Sequence, residues 1–286
     1  MSMKTSKKFW IILLAIFVLV PVLASAHQPR INTSIETIVT DPEISKAYYG
    51  QLAGEPHIYD INWSVPFDLY VNILMPDIVG QKKDVNLALF KKGNSDELLT
   101  VFDEGNNNWK KFFEPFAHDT YWQGGEYKVK AEAGNYQIRV WSSENDSKYS
   151  LAIGEKENFN FKETVNAINL IPQIKRNFFN ENPINFILSP FGWGYILVMY
   201  LLAFIVGFIV RLIFKIINRN KINKVGKNIN KKDRLIRAVL GIALLLIAIT
   251  TTWNPILLFL SGFMIFQSVF PWCIVYQFMG KNTCLS

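Results

Sequence analysis

From Ala238 to Gly280 the chain carries no charged residue, and Phe186 to Val210 carries none either. Uncharged runs of that length exceed what the core helix of a soluble domain needs, and they are stable in lipid. Between them the character reverses: residues 211–237 hold ten basic residues and one acid, Asp233. Residues 27–210 hold 16 Lys/Arg against 22 Asp/Glu. The net charge of +7 is thus the sum of an acidic region and a basic segment. Lys and Arg beside membrane spans mark the cytoplasmic side. Residues 27–189 are therefore expected outside the cell membrane, with residues 211–234 and the C-terminus inside. The basic run is not interleaved with stacking aromatics as a nucleic-acid groove is, so no nucleic-acid partner is expected.

Three membrane helices are predicted. Phe191–Val210 covers roughly the 30 Å of a hydrocarbon core, with Trp193 and Tyr195 at the outer interface and Arg211, Lys215 and Arg219 at the inner end. Leu235 to about Ile249 crosses outward, Thr-Thr-Thr-Trp-Asn-Pro turns with Trp253 at the interface, and Ile256 to about Phe270 returns. Small residues Gly241, Ala243, Ser261 and Gly262 permit close helix approach. Gln267 is expected to bond across the pair, and Asp233 with Arg237 forms a helix-compatible i,i+4 pair.

At the start, three lysines, an apolar run from Phe9 to Leu23 and Ala24-Ser25-Ala26 read as a secretory signal, residues 1–26, with an uncleaved anchor as the alternative. Cleavage would leave His27 first. A terminal His can chelate copper, but no partner ligand is placed near it by any motif.

Residues 27–157 read as strands. Leu69, Val71 and Ile73 alternate with Tyr70, Asn72 and Leu74, and Val85, Leu87 and Leu89 share a face. Tyr127–Ala131 and Tyr136–Val140 alternate around Gly134-Asn135, and Tyr149, Leu151 and Ile153 follow a second turn. About eight such runs between Gly, Asn, Asp and Ser clusters indicate an all-β sandwich. Residues 158–189 form a linker in which Val165, Ile168, Ile171 and Ile174 recur every three residues, a helix reset at Pro172. That helix suits either the membrane surface or the sandwich.

The three histidines, His27, His57 and His118, join no H-E-x-x-H motif, and no G-x-S-x-G is present. His57 is expected beside Tyr59 on a strand face. His118-Asp119 lacks a nucleophile, so a loop histidine bonded to backbone is the plainer reading. The segment from Asn106 to Tyr127 reads as a long loop and gathers aromatic residues. Trp109, Phe113, Phe116, Tyr121 and Trp122 are the candidate ligand or partner residues, suited to a sugar ring or a protein contact. The alternative is a small core capping the sandwich, or a rest on lipid headgroups; burial is the commoner fate of large aromatics. Asp103, Glu104, Glu114 and Asp119 could hold calcium but lack a loop spacing for it. No metal or other cofactor is assigned.

Two segments resemble known families. Tyr48–Trp63, Phe67–Leu74, Asp84–Phe90 and Gly134–Gly154 are ordered as in bacterial pre-peptidase C-terminal domains, which implies a jelly-roll-like sandwich and an accessory binding module. Residues 229–285 resemble the YgaP-like two-helix transmembrane domain. The match rests on the Asn228 to Gly241 entry, Cys273 and Cys284, and Gly280, Asn282 and Thr283 near the end. Ile274 stands where that family shows proline after its first cysteine. The family is sometimes fused to sulfur-transfer domains, and none is present here. A disulfide is not expected between cytoplasmic thiols, and their spacing fits no zinc knuckle.

The reading is a jelly-roll-like all-β sandwich, 27–157, and linker, 158–189, outside the membrane. A first span lies within 190–217, a basic loop at 218–232 and a helical hairpin with a cysteine-bearing tail at 233–286. Its expected role is non-enzymatic binding of an envelope glycan or protein, with the bilayer as partner and homo-oligomers formed through the helices. The alternatives are redox or sulfur handling by Cys273 and Cys284, and a structural or assembly role in a membrane complex.

Overall fold

The computed structural model describes residues 27–103, 106–158, 160–217 and 226–284. The expected signal segment, Glu104 and Arg219 lie outside the described residues. The chain divides into two units, Met1–Ser189 and Pro190–Ser286.

In the first unit the described residues form β1 (Gln28–Asn32), β2 (Glu36–Ile38), β3 (Lys46–Gln51), β4 (His57–Trp63), β5 (Phe67–Pro76) and β6 (Asn86–Lys92). These are followed by β7 (Glu97–Phe102), β8 (Lys110–Glu114), β9 (Asp119–Ala131), β10 (Gly134–Trp141) and β11 (Lys148–Ile153). They make two sheets, ordered β1-β3-β11-β5-β9-β8 and β2-β4-β10-β6-β7. Leu69, Val71 and Ile73 of β5 and Leu151 and Ile153 of β11 meet Leu87, Leu89, Ile138 and Val140 of the other sheet. Each such side chain contributes about 1.5–3 kcal/mol when taken from water. The period-2 pattern thus fixes which residues face inward.

The six-stranded sheet is covered on its second face as well. Leu74 and Ala152 on that face, with Tyr121, pack under Ile174, Phe178 and Phe179 of the linker. The linker begins as α1 (Phe161–Gln173), capped by Asn160, whose side chain accepts from the Glu163 N–H at 2.9 Å. Pro172 lies inside this helix near its end and does not start a second one. It removes one intrahelical donor, and the chain continues as a wider π turn, Ile174–Phe178. A 3₁₀ turn follows at Pro183–Leu188. Val165 stays exposed, so the apolar face that packs is the C-terminal half.

The expected long loop is in fact a hairpin. Lys110 to Glu114 pairs with Asp119 to Gln123, and only Pro115–His118 turns. Strand β8 is an edge strand with exposed side chains, so it has no buried face to impose alternation. β9 bulges against β5 between Asn72 and Leu74, opposite Gly124-Gly125. The Asn107 side chain accepts from the Gly125 N–H at 2.7 Å, and the Phe102 ring fills the space a Gly125 side chain would need.

The second unit holds α2 (Pro190–Ile217), α3 (Lys231–Thr251), α4 (Pro255–Val269) and a short α5 (Ile274–Phe278). α2 and α3, of 28 and 21 residues, are long and apolar enough to cross a membrane. α4 has 15 residues, about 22 Å, short of the hydrocarbon thickness. Of the three expected membrane helices, two are long and apolar enough to cross, and the third is present as a shorter apolar helix. Pro271 explains the stop, since it pushes Phe270 into extended backbone (φ −102°, ψ 98°). The Tyr200 hydroxyl of α2 lies 2.7 Å from Ser261 Oγ of α4, which donates to the Gly241 carbonyl of α3 at 2.7 Å. Gly241 and Gly262 sit at these crossings, as does Gly207 against Phe266. Ala243 is exposed and takes no part.

Gly125→Ala should drive a methyl into the Phe102 ring and lower stability by about 1–3 kcal/mol. Thermal melts of the full chain followed by tryptophan fluorescence check this.

Candidate functional site

The β8–β9 turn and the linker's end form a recess of about 320 Å³ lined by Asp77, Phe113, His118, Thr120, Phe179, Glu181, Asn185 and Leu188. One wall is set by the turn. Glu114 accepts from the N–H groups of Phe116 and Ala117 at 2.6 and 2.8 Å, and His118 takes a left-handed φ of 62°. Histidine is among the non-glycine residues that tolerate this region. The other wall is the linker, held by a buried ion pair. Lys175 of the π turn meets Asp119 at the start of β9, with side chains 0% and 1% exposed. The Tyr49 and Tyr121 hydroxyls add a contact of 3.0 Å beneath.

The charge balance of this wall is tight. Burial pushes the Asp119 carboxyl up to about 7, although Lys175 pulls the other way. Burial also raises Glu114, against the two backbone donors it accepts. The Lys175 ammonium further lies 3.7 Å from Glu181, while Asp119 Oδ2 is buried without a hydrogen bond.

Of the five aromatic residues singled out by sequence, Phe113 alone lines the recess. It is 50% exposed and stands edge-on to His118, ring centroids 5.0 Å apart. Trp109 and Trp122 pack against the core between the sheets. The Trp122 indole donates to Asp77 at 2.9 Å, and Lys83 sits 3.1 Å from its ring centre. Tyr121 is buried under the linker, and Phe116 is half-buried in the turn. Sequence reasoning missed Asp77, Thr120, Glu181, Asn185 and Leu188. Nothing local marks them, because the linker supplies three of them across some sixty residues of chain.

The other sequence candidates are placed as follows. Glu114 and Asp119 face each other across the hairpin, but the Lys175 ammonium occupies the position a calcium ion would need beside Asp119. Asp103 closes its own turn with Asn106. Among the described residues no three His, Cys, Asp or Glu side chains gather as metal ligands. His27 bonds Ser45. His57 points into the sandwich with Tyr59, in a buried network where its Nδ1 lies 2.6 Å from the Tyr149 hydroxyl and Asn32 donates to Tyr59 at 2.7 Å. Burial lowers the His57 pKa and keeps the ring neutral.

In the second unit Cys273 is buried, 2% exposed, and Cys284 is exposed. Past Pro271 the backbone is neither helix nor strand, so its polar groups need partners. Asn228 supplies them. Its side chain accepts from the Cys273 N–H at 2.7 Å and donates to the Cys273 carbonyl at 2.9 Å, and its own N–H donates to Pro271 O at 3.1 Å. The Thr283 N–H donates to the Asn228 carbonyl at 3.2 Å, and Thr283 Oγ1 accepts from the Asn230 N–H at 3.0 Å. Asn230 caps α3 through the Asp233 N–H at 2.8 Å. Gly280 has φ 64°, which an L side chain rarely adopts. Ile274 is the first residue of α5, a position that favours but does not demand proline. Gln267 accepts from Arg237, as its depth suggests, and Arg237 lies 4.0 Å from Asp233.

Two outcomes follow from this geometry. Asp119 has its folded pKa raised from 3.8 to about 7, so its contribution is fully present below pH 4 and is lost as pH rises through about 7. Relative to Asp119→Asn, the protein should lose up to a few kcal/mol between pH 5 and pH 8 in denaturant titrations. The comparison isolates Asp119, since His57 pulls the other way. Asn228→Ala should cost about 2–4 kcal/mol by stranding the Cys273 N–H and carbonyl, read as a lowered Tm in detergent.

No curated protein matches this chain. Among solved structures, the Yersinia pseudotuberculosis-derived mitogen is 14% identical, covering 42% of this chain and 92% of its own, TM-score 0.28. The pre-peptidase C-terminal domain of collagenase from Bacillus anthracis is 10% identical, covering 46% and 97%, TM-score 0.25. CorA, a surface-associated copper-binding protein of Methylomicrobium album BG8, is 7% identical, covering 44% and 100%, TM-score 0.24. These are likenesses only and carry no functional argument. Residues 225–286, the C-terminal segment of this chain, match the model of the family described as inner membrane protein YgaP-like, transmembrane domain.

Proposed function

We propose that this is an integral membrane protein that presents its β-sandwich outside the cell membrane as a non-enzymatic binding module. The observation that carries the binding role is the recess between the β8–β9 turn and the linker. It holds polar side chains that the fold does not consume: the His118 ring and the Thr120 hydroxyl have no hydrogen-bond partner among the described residues. Concave sites with a few convergent polar groups are where ligands bind. The orientation rests on charge. The acidic stretch 27–210 precedes the basic stretch 211–237, and Lys and Arg stay on the cytoplasmic side.

A second reading, redox or sulfur handling by Cys273 and Cys284, draws on Asn228, which bonds Cys273 and the neighbour of Cys284 at once. Burial of the first thiol weighs against it.

A membrane-impermeant maleimide tests the orientation. Ser95→Cys, exposed between β6 and β7, should label in intact cells, and Cys284 should label only after lysis. The opposite pattern would overturn the proposal.

A further inference from the structure

We infer that the recess at the β8–β9 turn takes a neutral, hydroxyl-rich ligand, a single ring of an oligosaccharide. This rests on the binding-module reading and names its ligand class. The recess presents two carboxylates, and each is already engaged from within the chain. Asp77 accepts from the Trp122 indole at 2.9 Å and from Lys111 at 2.8 Å. Glu181 accepts from the Asn185 amide at 3.0 Å and lies 3.7 Å from the Lys175 ammonium. A cationic ligand would have to compete with these lysines. An anionic ligand would meet two carboxylates and no uncommitted cation among the lining residues. A purely apolar ligand would strip water from both carboxylates, from His118 and from Thr120 without replacing its hydrogen bonds.

A sugar ring avoids all three penalties. Its hydroxyls both donate and accept. They can donate to the remaining lone pairs of Asp77 and Glu181 and to the Asn185 carbonyl oxygen, and can exchange bonds with Thr120 and His118. His118, the last residue of the turn, and Thr120, the second residue of β9, are two apart and line the recess together. A sugar also has an apolar C–H face, and Phe113, half-exposed and braced edge-on by His118, offers it a platform. Phe179 and Leu188 complete the apolar lining. The volume of about 320 Å³ is at the small end for ligand sites, which suits one ring with its neighbours outside.

The test uses the full chain in a detergent without a sugar headgroup. Maltotetraose, cellotetraose and chitotetraose are offered separately, with tetralysine as the cationic comparison, and binding is read by saturation-transfer NMR and calorimetry. The expected result is binding of at least one saccharide. Phe113→Ala should weaken it about tenfold and Thr120→Val, which keeps the shape but removes the hydroxyl, about three- to tenfold. Ile38→Ala, exposed on β2 away from the lining residues, should leave it unchanged. No binding of any saccharide at millimolar concentration, or binding indifferent to Phe113→Ala and Thr120→Val, overturns the inference. Tetralysine binding that Phe113→Ala weakens, with no saccharide bound, overturns the sugar assignment and leaves the binding module standing. Failure of every probe overturns both.

Discussion

The Lys175–Asp119 pair is the contact on which the rest of the first unit's surface depends. A fully buried ion pair is weak evidence for stability, since desolvating two charges offsets much of their attraction. What such a pair supplies is position. Lys175 can be buried in one place only, opposite Asp119, so the linker must lie across the six-stranded sheet in one register. Ile174, Phe178 and Phe179 then fall over Leu74, Tyr121 and Ala152. The apolar cluster supplies most of the adhesion and the ion pair selects the alignment. The 3₁₀ turn that follows brings Asn185 and Leu188 opposite Phe113 and His118. Without that alignment the hairpin turn would be a plain exposed turn with no second wall.

The second unit meets the opposite problem. A helix satisfies its own backbone, and lipid tolerates little else. Pro271 ends α4 early and leaves the run from Phe270 to Cys273 outside regular structure. Asn228 answers with a side chain that imitates a strand neighbour, accepting and donating on the same residue, Cys273. The end of the chain is fastened to the same asparagine through Thr283. Conserving shape here needs a short amide at one position, a left-handed glycine at another and a hydroxyl at a third. Those requirements account for Gly280 and Thr283 without any reaction at the thiols.

The sheets were legible because half-buried strands write their burial into a period of two. β5, β6, β10 and β11 are read correctly from that pattern. β8 was not legible, because an edge strand with no buried face has no pattern to write. The bounds of α4 were legible, since the apolar run expected from Ile256 to about Phe270 stops before Pro271 and the helix spans Pro255–Val269. Phe113 was found as part of an aromatic cluster, but its companions Trp109 and Trp122 serve the core. The linker's half of the recess, Phe179 to Leu188, reaches Phe113 only through tertiary packing. Asn228 stands at the head of the YgaP-like entry pattern, but its bonding role exists only once residues more than forty positions later fold back to it.

The central claim is that the linker is docked on the sandwich in a fixed alignment and so completes the recess. Hydrogen–deuterium exchange of the full chain measures this directly. The account predicts strong protection at Ile174–Phe179, lost together with protection at Asp119–Tyr121 in Lys175→Met. Exchange of Ile174–Phe179 at the rate of an unstructured peptide in the native protein would contradict it.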